Sequence, residues 1–234
     1  MNIEKILRKQ SYDLIEGPIR DFSLLQLHVK DPAQAIQNTG HFLTDDPAEV
    51  KSLSTDPAKM TDIDYTKTHD VDINHTAKVL EKLLEKLNMG NLGAEFTQTF
   101  DRTVTMSYKN STQRELNTIK LDQFLSDFDF DNSYRMLKRE GEENDLIIIT
   151  GVVESPEINW KLTSKSGTDL KVDATIKKLV DIGINPKINT EKTVEFTTNG
   201  VDPLVFGVKA HRIIFKNDKY DKLRPITDNR RLFK

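Results

Sequence analysis

The chain has 234 residues, with 34 Lys and Arg against 37 Asp and Glu, a formal net charge of −3, and no cysteine. Lack of cysteine excludes disulfides, thiolate zinc sites, thiol nucleophiles and acylated cysteine anchors, and the slight acidity argues against nucleic-acid binding through overall positive charge. No apolar run approaches the roughly eighteen residues of a spanning helix, and the first residues lack the apolar core of a secretory leader, so the expected compartment is cytoplasmic.

Met1 to Ile15 reads as a short amphipathic helix, with Ile3, Ile6, Leu7 and Leu14 near one face, Lys5, Arg8 and Lys9 supplying positive charge, and Gly17-Pro18 as its stop. Such a helix is an ordinary surface element or, in its functional reading, one drawn to anionic lipid headgroups, where each basic residue contributes about 1 kcal/mol. Phe22 to Val29 predicts a strand, Asp31-Pro32 a loop, His41 to Leu43 the start of a second short strand, and Ala48 to Leu53 a helical turn.

Alternation with a period of two follows. Ile63, Tyr65, Val71 and Ile73 alternate with polar residues. After a helix predicted over His75 to Asn88 and stopped at Met89-Gly90-Asn91, the pattern returns in Phe96, Phe100, Val104, Met106 and Tyr108, interrupted by Gln98 and Arg102. A strand so patterned has one apolar and one wet face over about the 9 to 11 residues that a tilted strand needs to cross a bilayer. The alternative is a half-exposed strand of a soluble sheet.

A polar stretch after Tyr108 leads to Leu116 to Phe130, read as a strand and then a short helix capped near Asp122, with further helical turns over Tyr134 to Glu140. Leu146 to Val153 is a nearly continuous apolar run, expected to be a buried central strand that ends at Pro156. The alternation then resumes in Ile158, Trp160 and Leu162, in Leu170, Val172, Ala174 and Ile176, and in Ile188, Val194 and Phe196, with a shorter helical stretch from Ile176 to Ile182. Leu204 to Phe215, introduced by Pro203, predicts a long strand in the middle of the sheet, and Lys216 to Lys234 reads as a charged tail.

His69, Asp70, Asp72 and His75 are the one cluster resembling metal ligands, but on a strand His69 points away from Asp70 and Asp72. No glycine-rich phosphate loop, nucleophile elbow or zinc-hydrolase helix motif occurs. The carboxylates at Asp127, Asp129 and Asp131 and at Glu140, Glu142 and Glu143 lie where helix ends keep such groups solvated. The expectation is a protein that is not an enzyme and has neither metal nor cofactor.

Three phrases carry a resemblance: Leu121-Asp122-Gln123-Phe124-Leu125, then Leu146-Ile147-Ile148-Ile149-Thr150, then Asp202-Pro203-Leu204-Val205-Phe206-Gly207-Val208-Lys209-Ala210. In this order they resemble stretches of compact microbial gasdermins, bacterial or fungal, and of the pore-forming half of animal gasdermins. The resemblance implies one α+β domain over residues 1–234, a twisted, mainly antiparallel sheet surrounded by helices, with a short tail over about 216–234. It also implies a pore former of regulated cell death, in host defence or allorecognition, that is cytoplasmic when inactive and assembles in the cell membrane as a homo-oligomeric barrel. Lys5, Arg8 and Lys9 would then bind acidic lipid. The inserting strands would carry Phe96, Phe100, Val104, Met106, Tyr108, Ile158, Trp160, Leu162, Leu170, Val172, Val194 and Phe196, drawn from one hairpin over Ile63 to Ile73 and Glu95 to Tyr108 and another over Glu157 to Ile176 and Lys187 to Thr198. An activating protease cutting between Asp218 and Arg231, or a divergent partner gasdermin, would release it. The chain is expected to depart from animal gasdermins in lacking the large C-terminal inhibitory domain, from many bacterial ones in lacking the N-terminal cysteine, and from some members in lacking an aromatic tip in the loop from Asp31 to Gly40. A soluble α+β binding module without membrane activity is the competing reading.

Overall fold

The computed structural model describes residues 3–19, 22–30, 37–60, 63–66, 103–130, 135, 137–139, 145–163, 184–190, 193–198, 203–217 and 219–226. The helices expected over His75 to Asn88 and Ile176 to Ile182, the His69 to His75 cluster, and Phe96, Phe100, Leu170 and Val172 lie outside the described residues.

Among the described residues the strands form two antiparallel sheets. The larger is built on one long ladder, β8 (Asp145–Ser155) against β12 (Leu204–Lys216). Two shorter strands lie end to end along each outer side of that ladder. β1 (Asp13–Ile19) and β13 (Lys219–Pro225) pair with β12, while β2 (Gln26–Lys30) and β7 (Thr112–Glu115) pair with β8. β3 (Gln37–Phe42) continues the sheet beyond β2, and β4 (Ala58–Lys59) beyond β7. The smaller sheet runs β10 (Ile184–Thr190), β11 (Thr193–Thr198), β9 (Glu157–Thr163), β6 (Thr103–Lys109), β5 (Ile63–Thr66).

The central ladder lies where its apolar run demands. Leu146 to Ile149, Val152 and Val153 are buried, as are Leu204, Val205, Phe206 and Val208 opposite them. A strand with neighbours on both edges and packing on both faces satisfies every backbone group while removing its side chains from water. α1 (Ile3–Lys9), α2 (Pro47–Leu53) and α3 (Thr118–Asp127) supply part of that packing. α2 begins at Asp46, whose carboxylate accepts from the Ala48 N–H at 2.8 Å, with Pro47 just inside. α3 buries Leu121 and Leu125, one turn apart, in the same core as Leu53, Leu116 and Phe130.

Several sequence expectations are corrected. α1 stops at Lys9, and Gly17-Pro18 lie in β1 rather than ending a helix. Ser11, in the left-handed region at φ 63°, turns the chain, and the proline is tolerated because the β1 pairing is irregular between Leu14 and Ile19. β2 starts at Gln26 instead of Phe22, after Leu25 at φ 65°. The Leu116 strand is reduced to one bridge with Ser54, and the cap of α3 is Asn117, which accepts from the Ile119 and Lys120 N–H groups at 3.1 and 3.2 Å. Asp122 lies within the helix and accepts from the Tyr220 hydroxyl. The polar stretch after Tyr108 contains β7, held by its ladder to β8. Lys187 to Thr198 is two strands, β10 and β11, instead of one. The charged tail contributes β13, with Tyr220 and Leu223 half-buried among exposed residues, paired with the end of β12.

Candidate functional site

Two features stand out from the fold: the smaller sheet and a polar cluster beneath the N-terminal helix. In the smaller sheet the registers align chemistry by row. Val104 is opposite Leu162, which is opposite Val194; Met106 is opposite Trp160, which is opposite Phe196; and Tyr108 is opposite Ile158. Tyr65 and Ile63 extend the last two rows across β5. Between them run polar rows: Thr103, Thr163 and Thr193; Thr105, Lys161 and Glu195; Ser107, Asn159 and Thr197. Since a one-residue slip would exchange the two faces, three strands agreeing in register make the separation a property of the sheet and not of any one segment.

Of the residues expected to face lipid, Tyr108 and Ile158 are fully buried at the base of this sheet. Val104, Met106, Trp160, Leu162, Val194 and Phe196 occupy the apolar rows. Polar rows carry their own bonds, including Thr197 to Asn159, and Asn159 Nδ2 to Glu157 Oε1 at 3.0 Å. Arg8 and Lys9 are exposed in the last turn of α1, and Lys5 lies one turn earlier.

α1 is docked on the larger sheet through Leu7, which is fully buried. The glycine at 207 makes the space: a Cβ there would lie 3.2 Å from Leu7 Cδ2. Gly151 does the same for Tyr12, whose hydroxyl would lie 3.0 Å from an added Cβ. Tyr12 donates to Glu115 Oε1 at 2.7 Å, Gln113 Nε2 donates to the same oxygen at 2.9 Å, and Lys209 pairs with it while standing 4.7 Å from the centre of the Tyr12 ring. Thr150 Oγ1 and His211 Nδ1 are 2.8 Å apart beside them. A cavity of about 510 Å³ opens on this cluster, with Arg8, Tyr12, Glu115, Lys209, His211 and Ile226 among its walls.

Electrostatics follow from the packing. Burial pushes the Tyr12 hydroxyl up, reinforced by its bond to Glu115. Burial also opposes ionisation of Glu115, but the bonds from Lys209 and Tyr12 and the lysine charge outweigh it, so the carboxyl is held below its ordinary range. His211 is shifted down by burial and then by Lys209, and stays neutral. This cluster was not foreseen from the sequence. Its signal was Lys209 and His211 two apart in a largely apolar strand, with Gly151 interrupting the facing one. Among the described residues no group of three or more His, Asp or Glu is placed to hold a metal ion. No described helix is long and apolar enough to cross a membrane, which says nothing of strands.

The sequence profile described as Bacterial Gasdermin Family matches residues 15–223. A gasdermin of Gillisia limnaea is 24% identical over 224 residues, covering 93% of this chain and 83% of its own. One of Lysobacter enzymogenes is 25% identical over 229 residues, covering 93% and 82%. The structure of a bacterial gasdermin from Bradyrhizobium tropiciagri superposes with a TM-score of 0.60 at 14% identity, over 95% of this chain and 90% of that one.

Proposed function

The chain belongs to the bacterial gasdermin family, and on that premise we propose that it is a pore-forming effector of regulated cell death, held in the cytoplasm until released and active at the cell membrane. The observation that carries this reading is the row-by-row separation of apolar from polar residues across β6, β9 and β11. Such a sheet has the pattern of a barrel wall, with lipid on one side and water on the other. An open sheet crossing lipid would leave edge N–H and C=O groups unpaired, so copies of the chain must close into a ring. In that ring β5 with β6 and β9 with β11 lengthen into two hairpins per protomer, taking in Phe96, Phe100, Leu170 and Val172, while Lys5, Arg8 and Lys9 meet acidic headgroups.

Release involves the C-terminal segment. β13 belongs to the larger sheet and the Ile226 N–H donates to the Ala210 carbonyl, so a cut beyond Ile226 removes the tail without dismantling that sheet. Contact with a divergent partner gasdermin is the other route. Purified protein, before and after limited proteolysis, is to be mixed with dye-loaded vesicles containing anionic lipid. Leakage together with rings visible by negative stain is expected; a monomer that leaves vesicles intact after trimming and after mixing with a related gasdermin would instead mark a soluble binding module.

A further inference from the structure

Two strands pass from the smaller sheet to the larger at the same place. β6 becomes β7 across Asn110 and Ser111, β9 becomes β8 across Pro156, and β4 of the larger sheet is followed in the chain by β5 of the smaller. The backbone bends at Asn110 and at Pro156. Neither bend inserts or deletes a residue: Lys109 is opposite Glu157 and Thr112 opposite Glu154, three steps along each strand. On the other edge Ile63 is opposite Tyr108 and Lys59 opposite Thr112, four steps along each, with the Met60 N–H bonded to the Ser111 carbonyl at 2.9 Å. A bulge would have thrown the side chains beyond it onto the other face; these bends do not.

The corner is held chiefly by one buried side chain, with a longer, exposed bond from Asn110 Nδ2 to Glu157 Oε2 at 3.4 Å beside it. Ser155, buried, places its Oγ 2.7 Å from the Lys109 carbonyl and 2.7 Å from the Glu157 carbonyl, and accepts from the Glu157 N–H at 3.3 Å. One hydroxyl proton thus ties both strands just past the bend. Other groups at the corner favour its opening. Asn110 is in the left-handed region at φ 55°, where a residue with a Cβ is strained, and the buried Ser111 hydroxyl has no partner among the described residues. Pro156 has no N–H, so opening the bend sacrifices no ladder bond from that position.

We propose that these paired bends are a register-preserving hinge, latched by the Ser155 hydroxyl, about which the smaller and larger sheets align into one continuous ribbon when the protein enters a membrane. The membrane half of this proposal rests on the pore reading. Ser155 is a positioning residue: it holds the inactive geometry.

Because the chain has no cysteine, nitroxide labels at Thr103→Cys and Thr112→Cys report the corner without background. In solution the spin-to-spin distance is expected to be short and narrow; in leaking vesicles it should lengthen toward the straight-strand value, nine steps of about 3.3 Å or about 30 Å. Ser155→Ala should bring a long-distance population into solution and speed leakage several-fold. Asn110→Gly relieves the left-handed strain and loses only the exposed 3.4 Å bond to Glu157, so it should keep the bend and slow leakage several-fold. Leakage with an unchanged distance overturns the hinge and leaves the pore reading standing. A longer distance in Ser155→Ala without leakage from any vesicle supports the hinge and overturns the pore reading. Identical solution distances in folded wild type and Ser155→Ala overturn the latch.

Discussion

The ring of Tyr108 stacks on that of Phe206, with centroids 4.0 Å apart and planes 25° from parallel. Both are buried, one at the end of a strand of the smaller sheet and the other in the central ladder of the larger. This contact seats the smaller sheet on the core of the larger one. Burial also raises the Tyr108 hydroxyl well above its usual range, so the phenol stays neutral. We expect Phe206→Ala to cost about 3–5 kcal/mol, as for other buried aromatic truncations, and Phe206→Leu clearly less. Urea unfolding followed by tryptophan fluorescence measures both; a loss below about 1 kcal/mol for the alanine variant would mean the stack does not join the sheets.

The two glycines under the N-terminal segment should differ in tolerance. A Cβ at 207 meets Leu7 methyl groups at 3.2 and 3.4 Å, the ends of a flexible side chain, whereas one at 151 meets Lys209 Cβ and the Tyr12 hydroxyl at 3.0 Å. Gly151→Ala is therefore expected to cost about 1–3 kcal/mol and Gly207→Ala less. Thermal melts that reverse this order would show that α1 is packed less adaptably than its contacts indicate.

Glu115 and Lys209 are each about three-quarters covered, with side-chain exposures of 26% and 22%. Removing one partner leaves the other charge half-buried and unpaired. Glu115→Ala should thus cost about 2 kcal/mol, with much of that recovered in Glu115→Ala combined with Lys209→Met. A double-mutant cycle measures the coupling, and strict additivity would contradict it.

Acid should weaken the fold. Burial pushes the His28 imidazole down to about 4, and His211 is shifted down by burial and by Lys209. In both cases the folded value lies below the unfolded one, near 6.5, so as pH falls the unfolded chain takes up protons first. Stability present above pH 6.5 is lost between there and about 4, by about 3 kcal/mol for His28 alone. Glu115, also held below its ordinary range, adds a loss of the same sign at still lower pH. Urea midpoints measured from pH 7.5 to 4 should fall steadily, and His28→Leu should flatten the curve.

Adjacent rows of the smaller sheet should respond oppositely to charge. Val104, opposite Leu162, belongs to an apolar row, and Thr103, opposite Thr163, to a polar one. Val104→Asp should abolish vesicle leakage and Thr103→Asp should leave it largely intact, because a carboxylate is costly against lipid and cheap against water. Equal loss in both would remove the basis for assigning the two faces.

The apolar run Leu146 to Val153 and the long segment from Leu204 were legible as central strands because their patterning leaves few other places to bury them. α2 was legible for a local reason, since the Ala48 to Leu53 stretch carries its own helical signal. Where an element depended on a distant partner, reading failed. β7 and β13 are polar stretches that become strands through their ladders to β8 and β12, and Gly17-Pro18 sits in a strand because β12 pairs on either side of it.

The polar cluster could not be read at all. Glu115, Thr150 and Lys209 come from three strands and Tyr12 from the residue just before a fourth, and nothing local to any of them announces that a tyrosine hydroxyl meets a carboxylate more than a hundred residues away. By itself the sequence determined which faces of its strands are apolar, because side-chain alternation is a property of the covalent chain. Only the tertiary structure decided which strands share a sheet, that their rows fall in register, and that two of them bend together without slipping, because cross-strand hydrogen bonding and burial are settled between segments that the chain keeps far apart.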